Sequence, residues 1–321
     1  MPQLVKHLTG GSLNATDLFQ DQTRKFVRKR ISTVADREYG YVRWYSQLKK
    51  LQRFAELVPD LVPEIYNIGV DEQGAYFDIE YIDAKDVKTL FKNNCLDEIE
   101  TEILHKKLWS AFDLLHQNSY PAIADSLRLY FQEEVLQKIN DARQFPEFDK
   151  FYNVNSYTHQ GNPVTGIKNN IEKIAKLFDQ PITAECYVHG NSTLENILYS
   201  STNGIVFIDL YEEGIIDSAL ADYSQILQCS NSHYGLLNDS NISVRGSIVE
   251  GLVTIPDNLC YFNQLFTNEL KSRLDHSEYF LVKLFEATQF FRMLPFKCHT
   301  NKIDYAKFFY VHACQLINEL L

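Results

Sequence analysis

Asn196 and Asp209 stand thirteen residues apart, on either side of Asn203-Gly204. Asn-Gly between apolar runs is a strong signal for a tight hairpin. On opposite arms of such a hairpin an amide oxygen and a carboxylate can share one metal ion. Magnesium takes hard oxygen ligands of this kind and completes its shell with waters and substrate phosphates. The run from His189 through Gly190 and Asn191 to Asn196, followed by Phe207-Ile208-Asp209, has the spacing of a phosphoryl-transfer site. That chemistry asks a protein mainly for positioning and for compensation of charge. Lys29 belongs to a segment, Phe26 to Ile31, with strand periodicity. It shares a face with Val27 and Ile31, and a lysine turned inward needs a partner.

The elements that must hold these residues follow from pattern. The first eighty or so residues read as short strands with one helix. The strands are Phe26–Ile31, Ile65–Val70 and Ala75–Tyr81, the last two joined by the turn Asp71-Glu72-Gln73-Gly74. The helix runs from Glu38 to Phe54, with Tyr41, Trp44, Tyr45 and Leu48 as its apolar face. Beyond Ile82-Asp83 the texture becomes helical, with helices expected over Ile99–His116 and from about Leu127 to Ile139. From Ser218 to Leu321 the pattern is mainly helical, with Pro256 and Pro295 as interruptions. The expected fold class is α+β, with a small β-rich N-terminal lobe over residues 1–83 and a larger, mainly helical lobe over 84–321.

Composition narrows the functional classes. A hydrophobic fraction of 45% with few glycines and prolines describes a globular chain with an ample core. The formal charge of −11 argues against a general nucleic-acid binder, because phosphate neutralisation needs a basic surface. The one dense basic run, Arg24 to Arg30, is short and interleaved with apolar residues. No apolar run is long enough for a membrane span, and the N-terminus lacks the apolar core of a signal peptide. Six scattered cysteines without a Cys-x-x-Cys pair read as free thiols of a cytoplasmic protein.

The chain resembles the aminoglycoside phosphotransferase/choline kinase-type family, a branch of the protein-kinase-like fold. The family signature is His-Gly-Asp, four residues, Asn, and then a strand ending in Ile-Asp. Here it reads His189-Gly190-Asn191, Ser192 to Glu195, Asn196, and later Ile208-Asp209. Gly214 to Asp217 and Ala221-Asp222-Tyr223 resemble the stretch that follows in the family. The likeness covers most of residues 5 to 230. It implies a bilobal fold that binds ATP and Mg2+, with Asn196 and Asp209 as metal ligands. It further implies that Lys29 pairs with the nucleotide phosphates and that Glu38 fixes its ammonium. Gly10-Gly11-Ser12 corresponds to the turn over the phosphates, and Glu80-Tyr81-Ile82 to the segment whose backbone pairs with adenine. His189 and Asn191 fall in the catalytic loop, with Asn191 at the position of the catalytic aspartate.

An aspartate there accepts the proton of the attacking hydroxyl, whereas an amide orients a hydroxyl but is no useful base. Altered chemistry, a ligand-binding pseudokinase and a sequence changed to trap substrate all remain open. Blander readings stand beside several assignments. Asp209 can simply cap a hairpin, Lys29 can be an exposed strand lysine, and Gly10-Gly11 can be an ordinary turn. Asp217 and Asp222 read as loop braces or helix caps. The expected activity is ATP- and magnesium-dependent phosphoryl transfer to a hydroxyl of a small molecule such as a sugar or related metabolite. The alternative is a nucleotide- or metabolite-binding protein without catalysis.

Overall fold

Alternation and turn chemistry place three of the five N-terminal strands within a residue or two of where the sequence predicts them; the first two strands carry no such prediction. The computed structural model describes residues 2–8, 15–31, 37–123, 125–182, 184–202, 204–211 and 214–321, without the side chains of 37–39 and 184. The chain begins β1 (Gln3–Leu8), β2 (Ala15–Gln20), β3 (Lys25–Arg30), α1 (Arg37–Leu57), β4 (Ile65–Asp71), β5 (Gly74–Glu80) and β6 (Lys85–Asp86). It continues through α2 (Val87–Lys92), α3 (Glu98–Leu115), β7 (Ser119–Pro121), α4 (Ser126–Tyr130), α5 (Lys138–Arg143) and α6 (Pro146–Tyr152). Next come β8 (Ser156–His159), β9 (Asn162–Thr165), α7 (Ile171–Leu177), β10 (Ala184–Cys186), β11 (Ile197–Ser200) and β12 (Gly204–Phe207). The last third holds α8 (Ala219–Ser230), α9 (Tyr234–Asn238), β13 (Ile242–Arg245) and β14 (Ile248–Gly251). It closes with α10 (Asp257–Arg273), α11 (His276–Arg292), α12 (Leu294–His299) and α13 (Ile303–Asn318).

The chain divides into two compact units. The first comprises Met1–Thr89, Lys106–Leu115 and His189–Gly214, so the N-terminal sheet forms its unit with two segments from beyond residue 83. Its five-stranded sheet runs β1-β2-β3-β5-β4, all neighbours antiparallel, with β3 central. A second sheet, β12-β11-β6, carries the predicted hairpin. Gly204 takes the turn at φ +74°, while Asn203 lies outside the described residues. Phe207 of β12 stacks on Phe112 of α3, which explains why the end of that helix belongs to this unit.

Both faces of β3 are covered, and the two are covered differently. On the face of Lys29 the strand meets α1, whose Trp44 indole donates to the Lys29 carbonyl at 3.1 Å. On the other face Arg28 forks onto Asp78 at 2.6 and 2.7 Å, and Arg30 forks onto Asp71. Bidentate pairs of this geometry are among the stronger charge-assisted contacts. The Arg28 guanidinium also lies 3.8 Å from the centre of the Tyr76 ring. The basic run of β3 is thus largely used up within its own sheet.

The apolar face expected for α1 needs correction. Tyr41 and Tyr45 are 48% and 43% exposed and stack on each other, whereas Gln47, Lys50, Leu51 and Phe54 are buried with Trp44 and Leu48. Aromatic residues marked the wrong flank of the helix because its inner flank also receives polar groups.

The second unit, Leu90–His105, His116–Val188 and Ile215–Leu321, is largely helical. Its core is aromatic, and Phe285, Phe290, Phe291, Phe308, Phe309 and Tyr310 are all fully buried, as helix-core residues should be. The helix expected over 127–139 is present, but its middle, Phe131–Gln137, is wound as π-helix. Pro256 and Pro295 stand at the starts of α10 and α12, where a missing N–H costs nothing. A four-stranded sheet, β13-β14-β8-β9, interrupts the helical region and includes a parallel β14–β8 pair. All six cysteines are unbridged, and no described helix is long and apolar enough to cross a membrane.

Asp78 is buried, and its loss would leave the Arg28 guanidinium only the more distant Asp71 carboxylate, at 3.8 Å. Asp78→Ala is expected to lower stability by about 3 kcal/mol in urea unfolding. Replacing both partners, Arg28→Met with Asp78→Leu, should recover most of that loss.

Candidate active site

The site grows from one buried cation. Lys29, 7% exposed, stands opposite Thr16 of β2 and Phe77 of β5, and its ammonium pairs with the Asp209 carboxylate. Burial, followed by the Arg43 charge, pulls Lys29 down from its ordinary 10.5 to about 8. The Asp209 carboxylate pulls the other way, toward the ammonium form. Asp209 itself is in the left-handed region at φ +56°, a conformation that non-glycine residues adopt at a cost.

Two further cations of α1 reach the same segment. The buried Lys50 ammonium donates to the Tyr211 carbonyl, and the Arg43 guanidinium lies 5.1 Å from the centre of the Tyr211 ring. Gln47, also buried, lines a small cavity of about 20 Å³ together with Lys29, Phe77, Phe207 and Asp209. Pattern reading missed Gln47 and Lys50. Their signal was polar side chains at the i+3 and i+6 positions from Trp44, on the stripe that faces the sheet.

The motif loop is fixed by its backbone. His189 is fully buried against Phe207, with ring centres 5.3 Å apart, and its Nδ1 accepts from the Asn191 N–H at 3.1 Å. The Tyr211 N–H donates to the His189 carbonyl at 3.0 Å. Gly190 is at φ +77°, and a Cβ there would collide with the Tyr211 carbonyl. His189 therefore has a bracing place, holding the loop against the strand that leads to Asp209.

Asn196 ends a short 3-10 turn, Leu194–Asn196, and its side-chain amide donates to the Asn191 carbonyl at 2.8 Å. That bond fixes which end of the amide points at the loop and leaves Oδ1 on the opposite side. Across the hairpin the Ile208 N–H donates to the Asn196 carbonyl at 2.9 Å, so Asn196 stands opposite Ile208, the residue before Asp209. An amide oxygen and a carboxylate form a sparse, hard donor pair. Among the described residues no three His, Cys, Asp or Glu side chains cluster as a metal cage. Such a pair fits magnesium, which draws most of its shell from phosphates and water, and does not fit a closed zinc site.

Glu80 ends β5 and Tyr81 and Ile82 follow it, all part-exposed, with the Glu80 N–H donating to the Glu64 carbonyl and the Ile82 carbonyl accepting from Ala84. Gly10, Gly11, Ser12 and the side chain of Glu38 lie outside the described residues. In the second unit Asp222 is fully buried and accepts from His116 at 3.0 Å, while Asp217 accepts from the Tyr120 hydroxyl at 3.2 Å. Both read as braces.

The fold is similar to that of a solved aminoglycoside phosphotransferase. A GDP complex of aminoglycoside 2'-phosphotransferase IIIa aligns with a TM-score of 0.56 and 13% identity, over 99% of this chain and 92% of that one. A type VIII aminoglycoside 3'-phosphotransferase aligns at 0.49 and 14% identity, over 89% and 93% of the two chains. The PknI kinase domain of Mycobacterium tuberculosis aligns at 0.37 and 12% identity, over 97% and 95%. No protein-family model matches the chain, and no curated protein matches it. At these identities the likeness is one of fold, and the chain has a protein-kinase-like fold with a β-sheet N-terminal region and a helical C-terminal region.

Gly190→Ala combines a positive φ with a backbone collision. It is expected to cost about 2–4 kcal/mol, read as a lowered unfolding midpoint. Alanine at Gly204, where a Cβ would meet nothing, should cost no more than about 1–2 kcal/mol.

Proposed function

We propose that this protein is an ATP- and magnesium-dependent phosphotransferase that moves the γ-phosphoryl group to a hydroxyl of a small molecule, a sugar or related metabolite being the favoured acceptor class. The observation that carries the reading is the convergence of Lys29, Arg43 and Lys50 on the Asp209–Tyr211 segment, beside the Asn196 amide, in a chain of net charge −11. A kinase-like fold and a fold neighbour solved as a GDP complex support it.

In this reading Asn196 Oδ1 and the Asp209 carboxylate would hold a magnesium ion, which would offset charge on the phosphate oxygens. Lys29 would turn from Asp209 toward those phosphates, with Gln47 lining the same small cavity. Asn191 orients the acceptor hydroxyl through its side-chain oxygen. The acceptor oxygen bonds to the γ-phosphorus as the bridge to the β-phosphate breaks. ADP leaves, and the hydroxyl proton passes to solvent or to a phosphate oxygen, because an amide cannot take it. Within Glu80 to Ile82, where the Glu80 N–H and the Ile82 carbonyl are already used, Tyr81 would supply backbone groups to the base.

Asn191 also favours a second reading, a nucleotide-binding pseudokinase that never turns over. Metal-dependent ADP release with a panel of sugars and amino alcohols separates the two. Asn191→Asp is expected to raise the rate about 10²–10⁴-fold by restoring a base. If neither form releases ADP while ATP with magnesium still raises the melting temperature, the pseudokinase reading stands. Absence of any thermal shift sinks both.

Lys29 supplies a pH signature. Its charge is complete below about 8 and is lost as pH rises through that value, well before an ordinary lysine at 10.5. ATP affinity should therefore be level up to about pH 8 and then fall by about tenfold per unit. In Lys29→Met, titration calorimetry should show weak binding with no such break.

A further inference from the structure

The three cations that face Asp209–Tyr211 differ in what opposes their charge. Lys29 is paired with the Asp209 carboxylate, and the Lys50 ammonium donates to the Tyr211 carbonyl. Arg43 has neither kind of partner among the described residues. Its guanidinium lies 5.1 Å from the centre of the Tyr211 ring, and a ring face attracts a cation without cancelling its charge. The side chain is half-buried, with Nε fully buried and without a hydrogen-bond partner. The two terminal nitrogens also make no hydrogen bond among the described residues, but they are not buried, so a ligand can reach them.

Helix geometry gives Arg43 its direction. Arg43, Gln47 and Lys50 are spaced i, i+4 and i+7 and fall on one flank of α1. Trp44, the next residue, donates to the Lys29 carbonyl, Gln47 lines the small cavity with Lys29 and Asp209, and Lys50 reaches Tyr211. The flank is thus pinned at three points to the strand and the segment that carry Lys29 and Asp209. The Arg43 charge is felt at Lys29, where it works against the ammonium. All of these residues belong to the first unit.

Like charges held close together cost free energy, and an anion received by both removes that cost. The chain has 42 acidic residues to 31 basic ones, yet a single carboxylate opposes these three cations. An ordinary arginine on a helix surface meets an acid three or four residues away. Arg43 has Tyr39 and Gly40 on one side and Ser46 and Gln47 on the other. A guanidinium with both terminal nitrogens open matches the paired oxygens of a phosphate. With a lysine beside it, a chain of phosphates fits better than one isolated carboxylate.

We infer, resting on the phosphotransferase reading above, that Arg43 is a phosphate-binding residue, a second cation that α1 supplies to the nucleotide's phosphate chain beside Lys29.

Titration calorimetry on the full chain with magnesium, using ATP, tripolyphosphate and adenosine, tests this. Arg43→Met should weaken ATP and tripolyphosphate alike, about ten- to a hundredfold, with little change in melting temperature. Adenosine carries no charge and should stay within about twofold. Arg43→Lys keeps the charge without the planar fork and should recover part of the loss. Arg43→Gln replaces the methionine variant should that one fail to fold. Adenosine weakened as much as ATP would make Arg43 merely structural and overturns the inference. Tripolyphosphate affinity unmoved by Arg43→Met overturns it too, and if Lys29→Met still weakens ATP the phosphotransferase reading survives. If tripolyphosphate binding depends on Arg43 but ATP binds no tighter than tripolyphosphate and releases no ADP, the phosphate site stands and the phosphotransferase reading falls. Binding of neither anion by the unaltered chain sinks both.

Discussion

A lysine ammonium buried in a sheet survives only with an anion against it, and Asp209, 180 residues downstream, is that anion for Lys29. The geometry around it follows from this pairing. Lys29 is held in the central strand, its carbonyl capped by Trp44, so the ammonium cannot follow its partner outward. Asp209 must come to the lysine instead, and it does so from a left-handed backbone at the end of β12. The return chain then needs holding, which Lys50 does at Tyr211 and Gly190 permits by having no side chain. Removing the lysine charge would leave a strained aspartate with nothing to justify its conformation.

The local field around this segment opposes that of the whole molecule. A net charge of −11 repels anions at long range, but exposed charges are screened beyond about 8–10 Å in physiological salt. Partly buried charges are screened far less. Among the described residues three cations face Asp209–Tyr211, and the single carboxylate there already opposes one of them. Phosphate recognition on this surface would depend on that short-range excess. Global acidity then acts as a filter against polyanions, not as a barrier to a small phosphate ester.

Legibility in the sequence followed the range of the forces involved. The β11–β12 hairpin and the inward face of Lys29 were readable because turn residues and period-2 alternation are local. The inner face of α1 was not. Tyr41 and Tyr45 looked like its core, yet Gln47 and Lys50 are inside, and what satisfies Lys50 is a backbone carbonyl remote in sequence. No local pattern announces such an acceptor. The sheet in the helical region was missed for a related reason. Ile242–Arg245 and Ile248–Gly251 are short strands around Gly246, a turn signal that was there to be read, but β14 finds its parallel partner β8 far upstream. The split burial of β3, apolar packing on one side and Arg–Asp forks on the other, likewise depends on β4 and β5.

The loop that presents residue 191 is indifferent to that residue's side chain. Its N–H goes to His189 Nδ1 and its carbonyl takes the Asn196 amide, both main-chain contacts. Buried His189, edge-on against Phe207, which stacks on Phe112, anchors the loop. Aspartate and asparagine differ little in size, and either would leave these contacts in place. The scaffold that orders Asn196 against the loop is therefore independent of whether position 191 can accept a proton. An intact loop and an absent base are compatible in one protein, because one is built from backbone hydrogen bonds and the other from a single side-chain atom. In the proposed reading, metal and phosphate positioning would rest on that loop geometry, while a base at position 191 would set how fast the transfer runs.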